Sequence, residues 1–174
     1  DRIYGLGQLI MLSPEQAIAD LRAIKDMGYR GVMMPGEPDT PEDFDQPLWD
    51  PFFAAAAEMD MPLSFHVLTS GMTILAGKRA ANPSRAEGRG PPVARTFGIV
   101  RNCQDILSMF VFGRIFERHP SLKLVCVEAD AGWAPHYMYR MDHYYRRHRH
   151  WNGYADLPKL PSEYFKENIW LTFQ

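Results

Sequence analysis

The sequence predicts an α/β protein: about five parallel strands with intervening helices, forming part of a (β/α)8 barrel. Three observations predict it. Short apolar runs begin near residues 3, 31, 62, 122 and 169, bounded by Gly, Pro or acidic residues. Stretches with helical spacing of apolar residues lie between them, and that alternation implies parallel strands with right-handed crossovers. The chain also opens on one strand and closes on another. Five strands cannot close an eight-stranded barrel, which needs roughly 250 residues. The 174 residues are therefore expected to form a single incomplete barrel domain over 1–174.

Residues Ile3 to Met11 are apolar with two glycines and Gln8, and read as the first strand. Ser13-Pro14-Glu15-Gln16 starts a helix: Ser13 caps, Pro14 fits the first helical position, and Gln16 is placed to reach back to the cap. Ile18, Leu21, Ile24 and Met27 recur at helical spacing, and Gly28 closes the helix. Gly31–Pro35 is the second strand, followed by a polar loop through Pro38 and Asp45. Asp50-Pro51 opens a short Ala-rich helix to Met59, and Pro62–Val67 is the third strand.

A Gly-, Pro-, Arg- and Lys-rich insertion occupies about 68–98. Loops longer than about 15 residues in a compact domain are usually functional or disordered. One helix is predicted from Phe97 to Arg118, stopped by His119-Pro120. The run Leu122–Val127 reads as a strand buried on both faces, and it ends in Glu128-Ala-Asp130-Ala-Gly-Trp133. A helix is expected over Pro135–His150, a turn-rich stretch over 152–161, a short helix over Ser162–Glu167 and a last strand over Ile169–Phe173.

Composition excludes several classes. A formal net charge of -2 gives no global attraction to nucleic acid or an anionic membrane. The longest apolar stretch, Ile106 to Phe112, is far short of the about 20 residues that span a bilayer. The first residues, Asp-Arg-Ile-Tyr-Gly, lack the pattern of a signal peptide. The two cysteines, Cys103 and Cys126, each sit in an apolar run and read as buried free thiols of a reducing, cytoplasmic compartment.

In parallel α/β folds the reacting groups sit where strands end and loops begin. Glu128 and Asp130 occupy that position after one predicted strand, and His66 after another. An imidazole nitrogen and a carboxylate at one rim suit a divalent metal, and a carboxylate near bound water can take its proton. The plainer alternative is that Asp130 caps the next helix, Glu128 pairs with a nearby arginine and His66 is a hydrogen-bonded core residue. Three or more protein ligands are usual at catalytic zinc, so this pair is incomplete by itself. Trp133 is a candidate to line a pocket, and the insertion's cations, Arg95 among them, suit an acidic substrate. The His148-Arg-His150 run sits at a helix end, where cations meet the favourable pole, and reads as solvated. Phosphate-loop, dinucleotide and nucleophile-elbow motifs do not occur.

Read in order, the chain resembles the amidohydrolase-related metal-dependent barrels, the family that includes aminocarboxymuconate semialdehyde decarboxylase. Four segments carry the likeness: Ala17 to Gly31; Trp49-Asp-Pro-Phe to Met61-Pro-Leu-Ser-Phe-His66; His119-Pro-Ser-Leu-Lys-Leu-Val to Trp133 with Arg140-Met-Asp142; and Phe165 to Phe173. The resemblance implies a distorted, metallo-dependent-hydrolase-like TIM barrel and one divalent metal ion, zinc or manganese. It carries His66 over as a ligand and places Glu128 where many members have a histidine acting as ligand or base. The family's first-strand His-x-His and its aspartate after the eighth strand have no counterpart in these residues.

The expected function is thus that of a metal-dependent amidohydrolase-related enzyme. It would hydrolyse a carbon–nitrogen or ester bond, or decarboxylate a small carboxylic acid without oxidation. His66 and Glu128 would be both metal-binding and catalytic, with Trp133 and Arg95 binding substrate. The expected partners are a small-molecule substrate and copies of the same chain, without nucleic acid or membrane. The segment alone is expected to be inactive. The competing reading is a metal-free, barrel-derived binding or scaffold protein.

Overall fold

The apolar runs do form the strands, but each pairs over fewer residues than its pattern covers. The computed structural model describes residues 3–66 and 98–173, with 98–100 described by backbone alone. Strands β1 (Gly7–Gln8), β2 (Val32–Met33), β3 (Leu63–His66), β4 (Leu124–Val127) and β5 (Ile169–Leu171) form one sheet in that order, and every neighbouring pair is parallel. The helices between them are α1 (Pro14–Asp26), α2 (Asp50–Glu58, entered by a 3-10 turn at Pro47–Trp49), α3 (Gly98–Phe112), α4 (Ile115–Arg118), α5 (Ala134–His148) and α6 (Pro161–Asn168).

The register gives the sheet two unlike faces. Gly7, Val32, Leu63, Leu124 and Ile169 stand side by side, and Gln8, Met33, Ser64, Val125 and Trp170 form the next row. Successive residues point to opposite faces of a strand. The first row continues through Met34, Phe65 and Cys126, all buried under helices. Gly7 is required there, because a Cβ would lie 2.5 Å from Cγ2 of Ile24 on α1. The second face is more open: Leu6, Ile10, Leu12 and Trp170 are exposed large apolar side chains, while Ser64 at its centre is buried.

The helix-side core is built on aromatic rings. Phe44, Trp49, Phe52, Phe53, Phe110 and Phe116 are all essentially inaccessible to solvent. Phe53 meets Phe110 edge-on at 5.5 Å and Phe44 at 5.9 Å, which locks α2 onto α3 through the loop before it. Cys103 on α3 and Cys126 on β4 are buried free thiols. The neighbouring Cys103 thiol, and then burial, hold the Cys126 thiol well above the ordinary cysteine value.

Three local expectations are corrected. The helix expected over Phe97–Arg118 is two helices, broken at Gly113-Arg114. A Cβ at Gly113 would lie 2.6 Å from Cβ of Asp45, and Arg114 has φ 62°, so the helix ends where the acidic loop crosses it. Ser13 does cap α1, accepting the Gln16 N–H at 3.2 Å, but the Gln16 side chain donates to Asp20 at 2.7 Å instead of returning to the cap. Asp130 does not cap α5, whose N-cap is Trp133 without a side-chain bond. The expected insertion at about 68–98, including Arg95, lies outside the described residues apart from the start of α3. Among the described residues no helix is long and apolar enough to cross a membrane.

Candidate functional site

β3 and β4 run parallel in the middle of the sheet, so their carboxyl ends reach the same rim. The ladder pairs His66 with Val127, one residue short of Glu128. His66 belongs to the open face, two residues beyond Ser64 in the row that contains Val125. Strand alternation would send the Glu128 side chain the other way, into the helix layer. Glu128 instead has φ 61°, a left-handed conformation uncommon outside glycine. That turn brings the carboxylate to the histidine, and His66 Nε2 lies 2.6 Å from Glu128 Oε2. Both are partly open to solvent, with 29% and 44% of the side chains exposed.

The turn has an anchor that the sequence does not announce. The Thr172 N–H donates to the Cys126 carbonyl at 3.1 Å, extending the β4–β5 ladder past Leu171. In a parallel ladder the next donor, the Glu128 N–H, would meet the Thr172 carbonyl. It donates to the Thr172 hydroxyl instead, at 2.8 Å. A threonine closing a strand of high β propensity is ordinary, so its only signal was its place at a strand's carboxyl end.

The other candidates fall elsewhere. Asp130 is exposed, with φ 53°, and follows the fully buried Ala129. Trp133 is partly buried; its indole N–H donates to the Ala129 carbonyl at 2.7 Å, and its ring packs edge-on against Tyr137 and Phe165. Its visible contacts fasten the loop that leaves Glu128. Two left-handed residues, Glu128 and Asp130, with only Ala129 between them, and a tied loop concentrate backbone strain beside the His66–Glu128 pair, where functional sites tend to hold it.

Imidazole nitrogen and carboxylate oxygen are borderline-to-hard donors of the kind that bind zinc and manganese. The pair fits a divalent ion as part of a ligand set. It is not a whole set: among the described residues no group of three or more His, Cys, Asp or Glu side chains converges on one point.

The match to known proteins decides the family. All of residues 1–174 match the family described as amidohydrolase. The chain belongs to the amidohydrolase family. Among curated relatives, gamma-resorcylate decarboxylase of Rhizobium radiobacter is 24% identical over 189 residues, covering 99% of this chain and 51% of its own length. The enzyme of the same description from Rhodococcus jostii is 23% identical over 192 residues, covering 99% and 52%. This amidohydrolase chain thus spans about half the length of the curated relatives it matches.

The structural likeness is equally broad. The 5-carboxyvanillate decarboxylase of Novosphingobium aromaticivorans, complexed with manganese and 4-hydroxy-3-methoxy-5-nitrobenzoic acid, superposes with a TM-score of 0.77. It is 24% identical and covers 99% of this chain and 47% of its own. An amidohydrolase of Mycobacterium avium subsp. paratuberculosis gives a TM-score of 0.75 at 20% identity, covering 97% and 42%. The parallel sheet is therefore an arc of the amidohydrolase (β/α)8 barrel, and its open face is the one that faces the barrel lumen.

Proposed function

We propose that the intact protein is a metal-dependent decarboxylase acting, without oxidation, on a small aromatic or unsaturated carboxylic acid. The observation that carries this reading is the 2.6 Å meeting of His66 Nε2 and Glu128 Oε2 at the carboxyl rim of the sheet. Hydrolysis of a carbon–nitrogen or ester bond would use the same donors. Relatives that match over 99% of this chain are decarboxylases, which favours decarboxylation.

In this reading His66 and Glu128 hold a divalent ion together with donors outside the described residues. When bound, the ion polarises a substrate oxygen and lowers the pKa of bound water. Manganese is favoured over zinc because it accompanies the structurally similar 5-carboxyvanillate decarboxylase. Glu128 carries two oxygens, so one can ligate while the other exchanges a proton. The bond between the substrate's carboxyl carbon and its neighbouring carbon breaks, carbon dioxide leaves, and a proton delivered from Glu128 takes the vacated place on that carbon. Trp133 steadies the loop that leaves Glu128 through its bond to the Ala129 carbonyl, and Arg95 would supply a cation for the substrate carboxylate. Two free thiols in the core fit a cytoplasmic protein.

The test is metal content and carbon dioxide release by the intact protein with hydroxybenzoates. Stoichiometric manganese or zinc that is lost in His66→Ala, together with release of carbon dioxide, supports the proposal. An intact protein that binds neither metal is the outcome that returns it to a metal-free scaffold.

A further inference from the structure

We infer that Thr172 is a positioning residue that sets the metal and proton chemistry of this site by holding Glu128 in its left-handed turn. The inference rests on the reading of His66 and Glu128 as metal ligands, and it adds a residue to which neither the family match nor the sequence patterns assign a role.

The argument is geometric. Without a left-handed residue after Val127, strand alternation aims the 128 side chain at the helix layer, away from His66. A non-glycine residue in that conformation persists only where its surroundings over-determine it. Two contacts of Glu128 do so. The carboxylate is drawn to His66 at 2.6 Å, and the backbone N–H is drawn to the Thr172 hydroxyl at 2.8 Å. The second acts on the backbone itself. By accepting the N–H with its side chain, Thr172 substitutes for the ladder carbonyl and ends the β4–β5 pairing one residue early. Thr172 is itself pinned by its N–H bond to the Cys126 carbonyl at 3.1 Å, so the hydroxyl is presented from a fixed point just past β5. The ligand pair drawn from β3 and β4 therefore depends on a third strand.

The test uses the intact protein and three forms: wild type, Thr172→Val and Thr172→Ser. Valine keeps the shape and removes the acceptor; serine keeps the acceptor. Manganese affinity is read by paramagnetic resonance titration, and kcat and KM are read separately. Outer-shell partners of metal ligands typically contribute about 10–100-fold in affinity or activity. Thr172→Val is expected to weaken manganese binding by at least about 10-fold and to lower kcat more than it raises KM, while Thr172→Ser stays within about threefold of wild type. Equal affinity and kcat in the valine variant and wild type would overturn the inference while leaving the proposed function standing. A wild type that binds no manganese or zinc would overturn both. If the valine variant does not fold, amide hydrogen exchange of the wild type and Thr172→Ser decides. A protected Glu128 amide in both, together with manganese affinity retained in the serine variant, supports the anchor, and a freely exchanging Glu128 amide in the wild type removes it.

Discussion

His66 and Glu128 meet at 2.6 Å although the ladder sets His66 opposite Val127 and not opposite Glu128. Their meeting depends on one backbone torsion, the φ of 61° at Glu128. Adjacent parallel strands bring the two ends to one rim, and the left-handed turn then rotates the carboxylate onto the imidazole.

Because the turn suits glycine, Glu128→Gly should separate stability from function. Glycine adopts that φ without the Cβ penalty, and the lost contact to His66 is partly exposed and worth little. The unfolding free energy of the intact protein should change by no more than about 1 kcal/mol, while turnover falls by at least about 100-fold. Urea unfolding followed by circular dichroism, beside a carbon dioxide assay, reads both. A large loss of stability would show that the carboxylate serves mainly as a structural tie.

The segment comprising only these 174 residues should not turn over substrate even with manganese added. Among its described residues no group of three or more His, Cys, Asp or Glu side chains converges, so the proposed His66–Glu128 ligand pair is only part of a set. Activity of the isolated segment comparable to that of the intact protein would contradict the incomplete-site reading.

Removing the ring of Phe53 should be among the costlier single changes. The ring is fully buried and meets Phe44, Phe52, Phe110 and the His119 imidazole. Phe53→Ala leaves a cavity in a closed aromatic cluster, and a loss of about 3–5 kcal/mol is expected in urea unfolding. Exposed Trp151→Ala, by contrast, should shift stability by less than about 0.5 kcal/mol.

Asn168, which is 2% exposed, ties the end of α6 to the chain entering β4. Its side-chain amide donates to the carbonyls of Pro120 and Leu122, each at 2.9 Å. Asn168→Ala leaves those carbonyls without the donor and should cost about 1–3 kcal/mol. Thermal unfolding measures it, and an unchanged midpoint would refute the tie.

Alkaline conditions should destabilise the fold through Tyr154. Burial is the largest cause holding its phenol above the ordinary value of 10.0, up to about 12, and its hydroxyl donates to the Phe112 carbonyl at 2.6 Å. A raised folded-state pKa means that the unfolded chain releases the proton first. The contribution is fully present below pH 10 and is lost as pH rises through about 12. In Tyr154→Phe the fall in thermal midpoint across that window should be shallower than in wild type. The slope should not vanish, because Tyr137 and Tyr164 are also held above their ordinary values, chiefly by burial.

The sheet was legible because its signals are local. Runs such as Leu122–Val127 mark strands buried under helices, and strand–helix alternation forces parallel order. The helix break at Gly113-Arg114 was not legible, since it answers the approach of Asp45, which is distant in sequence. The failed capping role of Asp130 has a similar cause: the chain uses residues 128 and 130 as left-handed turns before α5 begins.

By itself, the sequence determined the parallel α/β order and the placing of two residues, His66 and Glu128, at the ends of strands. Those follow from apolar periodicity and from residue types at strand ends, which are properties of short stretches. Only the tertiary structure decided that the two side chains meet. Alternation along β4 points the carboxylate the wrong way, and the hydroxyl of Thr172, 44 residues on, anchors the backbone turn that corrects it. A contact made across strands by a torsion of the sign disfavoured for L-residues leaves no periodic trace in the chain that makes it.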